Sequence, residues 1–209
     1  MFDREQLLQP ALEVAPLLLG AVLSRTGPEG TVAVRLTEVE AYLGEVDPGS
    51  HAFRGRGRRN AVMFGEPGHL YTYFTYGMHV CANITCSPAG TASAVLLRGG
   101  QIVEGLELAR SRRATSKSDA DLARGPARLC VAMGIALDDN GADLSRPPFE
   151  LTQPSDSVRA EDVRSGPRTG VSGMGGSNDF PWRFWLADER TVSKYRKHTA
   201  RLRHRRSAN

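Results

Sequence analysis

Thr31-Val32-Ala33-Val34-Arg35-Leu36-Thr37-Glu38-Val39-Glu40-Ala41-Tyr42 alternates apolar and polar side chains over its first half. Val32, Val34 and Leu36 recur at every second position, the period of a half-buried strand. Continued without interruption, that period puts Glu38 and Glu40 on the apolar face. Unpaired carboxylates are costly to bury, so the strand is expected to open into a cleft or a bulge there. Further along, Gly68-His69-Leu70-Tyr71-Thr72-Tyr73-Phe74-Thr75-Tyr76-Gly77-Met78-His79-Val80-Cys81-Ala82-Asn83 reads as part of two antiparallel strands, 70–75 and 79–86, around Gly77. A tip of about three residues centred on Met78 sets Tyr73 opposite Asn83, with Tyr71 and Cys81 on the same face. Tyr76 and Met78 then project at the tip, an unexpected place for bulky side chains.

The flanking chain reads as scaffold. Residues 1–10 are expected to form a loose arm. Residues 11–24, an apolar run containing Pro16, predict a short buried helix with the proline in an early turn. Gly27-Pro28-Glu29-Gly30 is turn chemistry. Residues 44–59 read as loop, 92–97 as a third strand ending at Arg98, and 101–113 as a helix. A polar loop follows over 111–121, and Pro126 opens another helix, through Met133, at a position where the missing N–H costs little. Residues 138–180 carry few regular signals, and 182–186 predict a last strand. With no repeat and no linker, the 209 residues predict one domain, 1–209, with a basic flexible tail over 197–209.

Lys and Arg number 27 against 23 Asp and Glu, a net charge of +4, and the excess is concentrated. Arg54, Arg56, Arg58 and Arg59 crowd one short Arg/Gly segment, and from Arg190 onward there are eight Lys or Arg and no acid. Such patches attract polyanions, nucleic acid first among them; for the terminus, a solvated tail is an equal rival reading. No apolar run reaches the ~18 residues of a membrane span, and no secretory leader is evident. Cys81, Cys86 and Cys130 are an odd set without CxxC spacing. They argue against a disulfide framework and against zinc, and fit a reducing cytoplasm. The expectation is a cytoplasmic monomer without a membrane partner, nucleoid-associated if bacterial.

Glu40, at a strand end beside Tyr42 and near His51, suits a general base that orients water. On position alone, an arginine-paired surface glutamate is the commoner reading. Tyr42, His51, Tyr73 and Tyr76 offer planar faces of the kind that hold a base taken out of a duplex, and electron-rich rings favour cationic alkylated bases. Tyr71 and Phe74 read equally well as core. Tyr76-Gly77-Met78 on a tight turn fits a wedge that enters a base stack. Arg98 suits a phosphate contact or a support for the base, with a structural salt bridge as the rival. The three lysines, Lys117, Lys194 and Lys197, all lie outside 37–86, which leaves a Schiff-base lyase without an evident nucleophile. The zinc-deaminase pattern, the P-loop and the G-x-G-x-x-G cradle are absent.

Residues 37–98 closely resemble the alkyladenine (3-methyladenine) DNA glycosylase family. The motifs are Glu38-x-Glu40-Ala41-Tyr42-Leu43-Gly44 followed by His51, Met63-Phe64, Pro67-Gly68-x-Leu70-Tyr71-x-Tyr73, Tyr76-Gly77-Met78, Cys81-x-Asn83 and Ala94-Val95-Leu96-Leu97-Arg98. Weaker similarity runs through Gly125-Pro126-Ala127-Arg128-Leu129-Cys130 and Arg168-Thr169-Gly170-Val171. The resemblance implies a single α+β domain with a curved antiparallel sheet, flanked by helices, from which a DNA-inserting hairpin protrudes. It implies duplex DNA with damaged purines as partner and neither metal nor organic cofactor. Glu40 would activate the water that attacks the sugar C1′, and Arg98 would help position that water or the lesion phosphate. Tyr42, His51 and Tyr73 would sandwich the flipped base. Asn83 would screen out guanine, Tyr76 would fill the gap in the duplex with Met78 beside it, and the backbone near Val171 would complete the water site. Lesion range, alkylated purines alone or hypoxanthine as well, stays open.

Two departures stand out. Gly57-Arg58-Arg59-Asn60 replaces the Thr-Pro-Arg-Asn of many relatives, and His79 takes a position that is aromatic in several. Two rival functions also remain. Glu38 and Glu40, about 6–7 Å apart as i and i+2 on a strand, would suit a hydrolase of nucleosides or glycosides. A non-catalytic module that senses damaged duplexes would use the hairpin and basic patches without base release.

Overall fold

The computed structural model describes residues 1–75 and 77–199. Helix α1 (Ala11–Leu17) leads into strand β1 (Val22–Gly27), which turns back as β2 (Gly30–Tyr42). The helix expected over 11–24 thus ends early, with Pro16 in its last turn rather than an early one. Gly20 takes a φ of 82°, and the amides of Gly20 and Leu36 donate to the oxygens of Leu36 and Ala21 at 2.8 Å. The run Leu17-Leu18-Leu19 suits a helix or a strand equally; the turn at Gly20 and the pairing with Leu36 decide it.

The chain continues through β3 (Leu70–Thr75), β4 (His79–Thr85), β5 (Ala94–Glu104), α2 (Leu106–Arg112), α3 (Asp119–Leu122), α4 (Pro126–Met133), β6 (Phe149–Thr152), β7 (Val163–Gly166) and β8 (Arg183–Leu186). The strands pair antiparallel in the order β3-β4-β5-β2-β1-β6, and β8 joins β7 to β2. This is a single α+β domain whose sheet is bent by bulges. β5 does not stop at Arg98: Gln101 and Ile102 pair with Arg35 and Val34, so the helix expected from 101 begins only at Leu106. α1 packs on β2, and α4 packs on β4 and β5. Among the described residues, no helix is long and apolar enough to cross a membrane.

One irregularity in β2 decides which face carries chemistry. Val32, Val34 and Leu36 are buried in the core, and so are Val39 and Ala41: the inward positions change from even to odd. The register against β5 shifts between Leu36 and Glu38 and again between Glu38 and Val39. The extra residue of a bulge reverses the alternation. Glu38 and Glu40 therefore do not continue the apolar face as an unbroken period required; they turn to the other side of the sheet. β1 leaves the edge of β2 at this point, and β8 replaces it, pairing with Glu38, Val39 and Glu40.

In the β3–β4 pair, Tyr71 faces Asn83, Tyr73 faces Cys81 and Thr75 faces His79. The tip is thus centred on Gly77, with φ 67°, and not on Met78; Tyr73 stands opposite Cys81 rather than Asn83. Gly77 accepts a left-handed backbone that Met78 would resist. The four site-facing residues keep their common face, because the error moves the register by two. Tyr76 lies outside the described residues. Residues 1–10 are packed rather than loose: Phe2 and Leu7 are buried, the Phe2 amide donates to Leu151 at 2.7 Å, and Ser87 donates to Leu7 at 2.9 Å. Of the expected tail, residues 197–199 have no regular structure and 200–209 lie outside the described residues.

Candidate active site

The face of the sheet away from the main core forms the floor of a cleft of ≈ 380 Å³. β2 delivers Glu40 and Tyr42, β5 Arg98, β4 Cys81 and Asn83, and β3 Tyr71 and Tyr73; His51 and residues 169–172 come from loops. Gly44, whose φ is 57°, starts the first loop where a side chain would strike the backbone of Ala92. A second, small core of Ala52, Met63, Phe64, Tyr71, Ala92 and Ala94 holds that loop against the sheet.

Glu40 is fully buried as a residue yet lines the cleft. Its Oε1 accepts from the Thr169 amide at 2.7 Å, its Oε2 accepts from the Tyr42 hydroxyl at 2.9 Å, and Arg98 Nη1 lies 3.4 Å from Oε1. Donors on both oxygens hold a carboxylate in one orientation. Glu38 is different. Its Oε1 accepts from Arg98 Nε at 3.0 Å, Arg183 Nε at 2.6 Å and Ser193 Oγ at 2.9 Å, and its Oε2 from the Ser193 amide at 2.7 Å. It is saturated and does not line the cleft. Burial acts to lower the pKa of Arg98, but the Glu40 and Glu38 carboxylates outweigh it and raise it further. Arg98 is thus a permanent cation bridging two acids.

Beneath Tyr42 lies a residue that sequence reasoning passed over. Arg168 is fully buried and grips Asp47 through two bonds of 2.6 Å. It also donates to Ala41 O at 2.9 Å and Gly175 O at 2.7 Å. Its guanidinium lies 4.4 Å from the Tyr42 ring centroid and 5.1 Å from that of Trp182. Asp47 in turn accepts from the amides of Leu43 and Gly49. A Cβ on Gly49 would collide with this guanidinium.

The opposite wall is aromatic. His51 Nδ1 lies 3.1 Å from the Tyr71 hydroxyl, and its ring meets Tyr73 edge-on at 4.5 Å; Tyr71 and Tyr73 stack at 5.7 Å. Burial, then the charge of Arg59, lowers the His51 pKa and keeps the ring neutral, although one side remains open at the cleft mouth. Burial raises Tyr42, Tyr73 and, to about 12, Tyr71, and pushes the Cys81 thiol to about 11. Every ring around the cleft is therefore an uncharged face at neutral pH. Asn83 is buried and donates to Tyr71 O at 3.0 Å. Among the described residues, no group of three His, Cys, Asp or Glu could hold a metal ion.

Residues 5–190 match the methylpurine-DNA glycosylase (MPG) family. The chain belongs to that family. A protein of Leifsonia xyli, provisionally named a 3-methyladenine DNA glycosylase, is 64% identical over 202 residues, covering 94% of this chain and 93% of its own. Similarly named proteins of Streptomyces avermitilis and Mycobacterium tuberculosis are 55% and 48% identical over 203 and 202 residues, covering 96% and 93% of this chain and 94% of each relative. The chain is accordingly a DNA glycosylase, a hydrolase of N-glycosyl bonds.

The glycosylase cleft gathers Glu40, Tyr42, His51, Tyr73, Asn83, Arg98 and Val171 from the positions the sequence singled out. Val171 lines the wall, but the amide that touches Glu40 belongs to Thr169. Arg54, Arg56 and Arg58 are exposed, form no ion pair among the described residues, and stand outside the cleft. Arg59 is tied to the hairpin through Phe74 O at 2.9 Å and stacks on Tyr73. Asn60 holds the loop, accepting from the Gly57 amide at 2.7 Å and donating to the oxygens of His51 and Gly55 at 3.0 Å. Met78 is 71% exposed at the tip. Arg168, Asp47, Arg183 and Ser193 were missed; Arg168 alone carried a signal, as the first residue of the Arg168-Thr169-Gly170-Val171 motif.

Proposed function

We propose that the chain is a monofunctional glycosylase that takes alkylated purines, 3-methyladenine and 7-methylguanine, out of duplex DNA and hydrolyses their N-glycosidic bond, leaving an abasic site. The observation that carries this reading is Glu40: a buried carboxylate open to a cleft, held on both oxygens and facing uncharged aromatic rings. Glu40 draws a proton from water as it attacks C1′. A 3- or 7-methylated purine is already cationic, so it leaves with the bonding electron pair and needs no acid. Neutral Tyr42, Tyr73 and His51 receive the cationic base on their faces; Asn83 disfavours the 2-amino group of neutral guanine, a penalty that cationic 7-methylguanine offsets by its charge against those rings. Arg98 keeps Glu40 in place and offers positive charge near the lesion phosphate. Tyr76 and Met78 fill the gap that the flipped base leaves, and Arg54, Arg56, Arg58 and Arg59 meet the backbone. Hypoxanthine, being neutral, would need protonation as it leaves, and the acids that line the cleft are the tyrosines and the Cys81 thiol, all held above their ordinary pKa by burial.

The hydrolase reading that pairs Glu38 with Glu40 lacks support, since Glu38 is saturated and does not line the cleft. The test is base release from duplexes carrying 7-methylguanine, 3-methyladenine or hypoxanthine, for the wild type beside Glu40→Gln. Release of the methylated bases by the wild type, lost in the variant by about 10²–10⁴-fold, is expected. Tight binding without release from any duplex would favour a damage-sensing module.

A further inference from the structure

Next to the substrate cleft, and separated from it by Val171, lies a second cleft of ≈ 540 Å³ that the reaction does not use. One side is the turn from Gly173 to Asn178; the other is the segment Tyr195, Lys197 and His198. That segment is not free to wander. The Gly170 amide donates to Arg196 O at 2.8 Å, and Ser193 is bound to Glu38. The same stretch that buttresses the acidic pair and the Thr169–Val171 loop therefore also fixes where the chain's basic end begins. Lys194, Arg196 and Lys197 are exposed and form no ion pair among the described residues, and no acid follows Glu189.

We propose that this side cleft is a docking site for a DNA backbone phosphate, with Lys197 as its charge and the amide of Asn178 at its wall; the neighbouring Ser177 hydroxyl is taken up by Asp179 Oδ2 at 3.2 Å. The inference rests on the glycosylase reading for its ligand, a duplex seated over the neighbouring cleft. It assigns a contact distinct from that of the Arg54–Arg59 loop. Arg59 is anchored to β3 and the Thr169–Val171 loop to β2, with β4 and β5 between them. Three strand intervals amount to about 14 Å, so one phosphate cannot satisfy both. The two basic regions flank the lesion at different points of the backbone, which fixes the direction in which the duplex lies across the cleft. In this reading the basic end does more than raise diffuse affinity: its first residues report on register.

The test is a phosphate-neutralisation scan. Short duplexes containing a tetrahydrofuran abasic-site analogue carry one methylphosphonate at a time along each strand, and affinity is measured for the wild type, Lys197→Gln and Arg59→Gln. Both side chains are exposed, so folding is kept. At one position close to the lesion, neutralisation is expected to weaken the wild type about tenfold and Lys197→Gln hardly at all, whereas Arg59→Gln retains that penalty. The salt dependence of Lys197→Gln should fall by about one counterion. Identical penalties in the wild type and Lys197→Gln at every position would overturn the site. Base release from 7-methylguanine duplex is measured on the same wild-type preparation. No release with a surviving Lys197-dependent position would sink the catalytic reading and leave the phosphate site standing.

Discussion

The amide of Thr169 reaches Oε1 of Glu40 at 2.7 Å from a point 129 residues further along the chain. A strand supplies the acid and a distant loop orients it. The loop is itself set by Arg168, the preceding residue, so the geometry of Glu40 depends on a guanidinium that touches no part of the cleft's contents. Several consequences can be measured.

Tyr42→Phe keeps the ring over Arg168 and removes only the hydroxyl that donates to Glu40. A charge-assisted hydrogen bond is lost, so single-turnover base release should slow about tenfold, ~1.4 kcal/mol. Affinity for a 7-methylguanine duplex should hardly change. An equal loss in binding would mean that the hydroxyl contacts the base rather than the carboxylate.

Arg168→Met should destabilise the fold by about 3–5 kcal/mol in urea, because it abandons Asp47 as an unpaired buried charge. Asp47→Asn should cost less, since the amide still accepts one of the two bonds. Arg168→Lys should not rescue, as an ammonium cannot span both Asp47 oxygens and stack between Tyr42 and Trp182.

The His51 ring should titrate below the ordinary value of about 6.5, with burial as the first cause and Arg59 as the second. Arg59→Gln should move the NMR titration of His51 upward but not past that value. Because the folded pKa is depressed, the unfolded chain binds the proton more readily. Stability should therefore be complete above about pH 6.5 and fall as pH drops towards the folded pKa. Arg59→Gln should narrow that window, and a rise in stability on acidification would refute the argument.

Cys81, Cys86 and Cys130 are buried thiols whose pKa values are all raised by burial, that of Cys81 to about 11. At pH 8 the native protein should react with a thiol reagent at none of them, and the denatured chain at all three. Fast modification of Cys81 would show that the cleft floor opens in solution.

How much of this was legible beforehand follows the range of the interactions. Alternation in Val32, Val34 and Leu36 revealed β2, and the two acids in phase with it marked the bulge, because no strand carries such residues inward unaided. The Tyr71–Tyr73 and Cys81–Asn83 face was also local and readable. The tip was misplaced by one residue because Met78 and Gly77 both suit a turn until backbone handedness chooses the glycine. The 11–24 helix failed for a related reason: a leucine run has no period of its own. Residues 101–104 were invisible as strand, since their pairing with Val34 and Arg35 is a long-range event. Arg168 stood in a motif, but its pairing with Asp47, 121 residues away, and the Ser193 clasp on Glu38 leave no local trace.

That clasp has a bearing on how the protein comes into being. Glu38 obtains two of its partners from Ser193 and another from Arg183, while the hairpin and the arginine loop belong to the first half of the chain. During synthesis the N-terminal parts emerge first, so a ribosome must have translated past codon 193 and extruded that segment before the acidic pair can settle. A chain cut short before Ser193 would keep the hairpin and the arginine loop but leave Glu38 without that clasp. The acidic pair is thereby settled only once Arg183 and Ser193 have joined it.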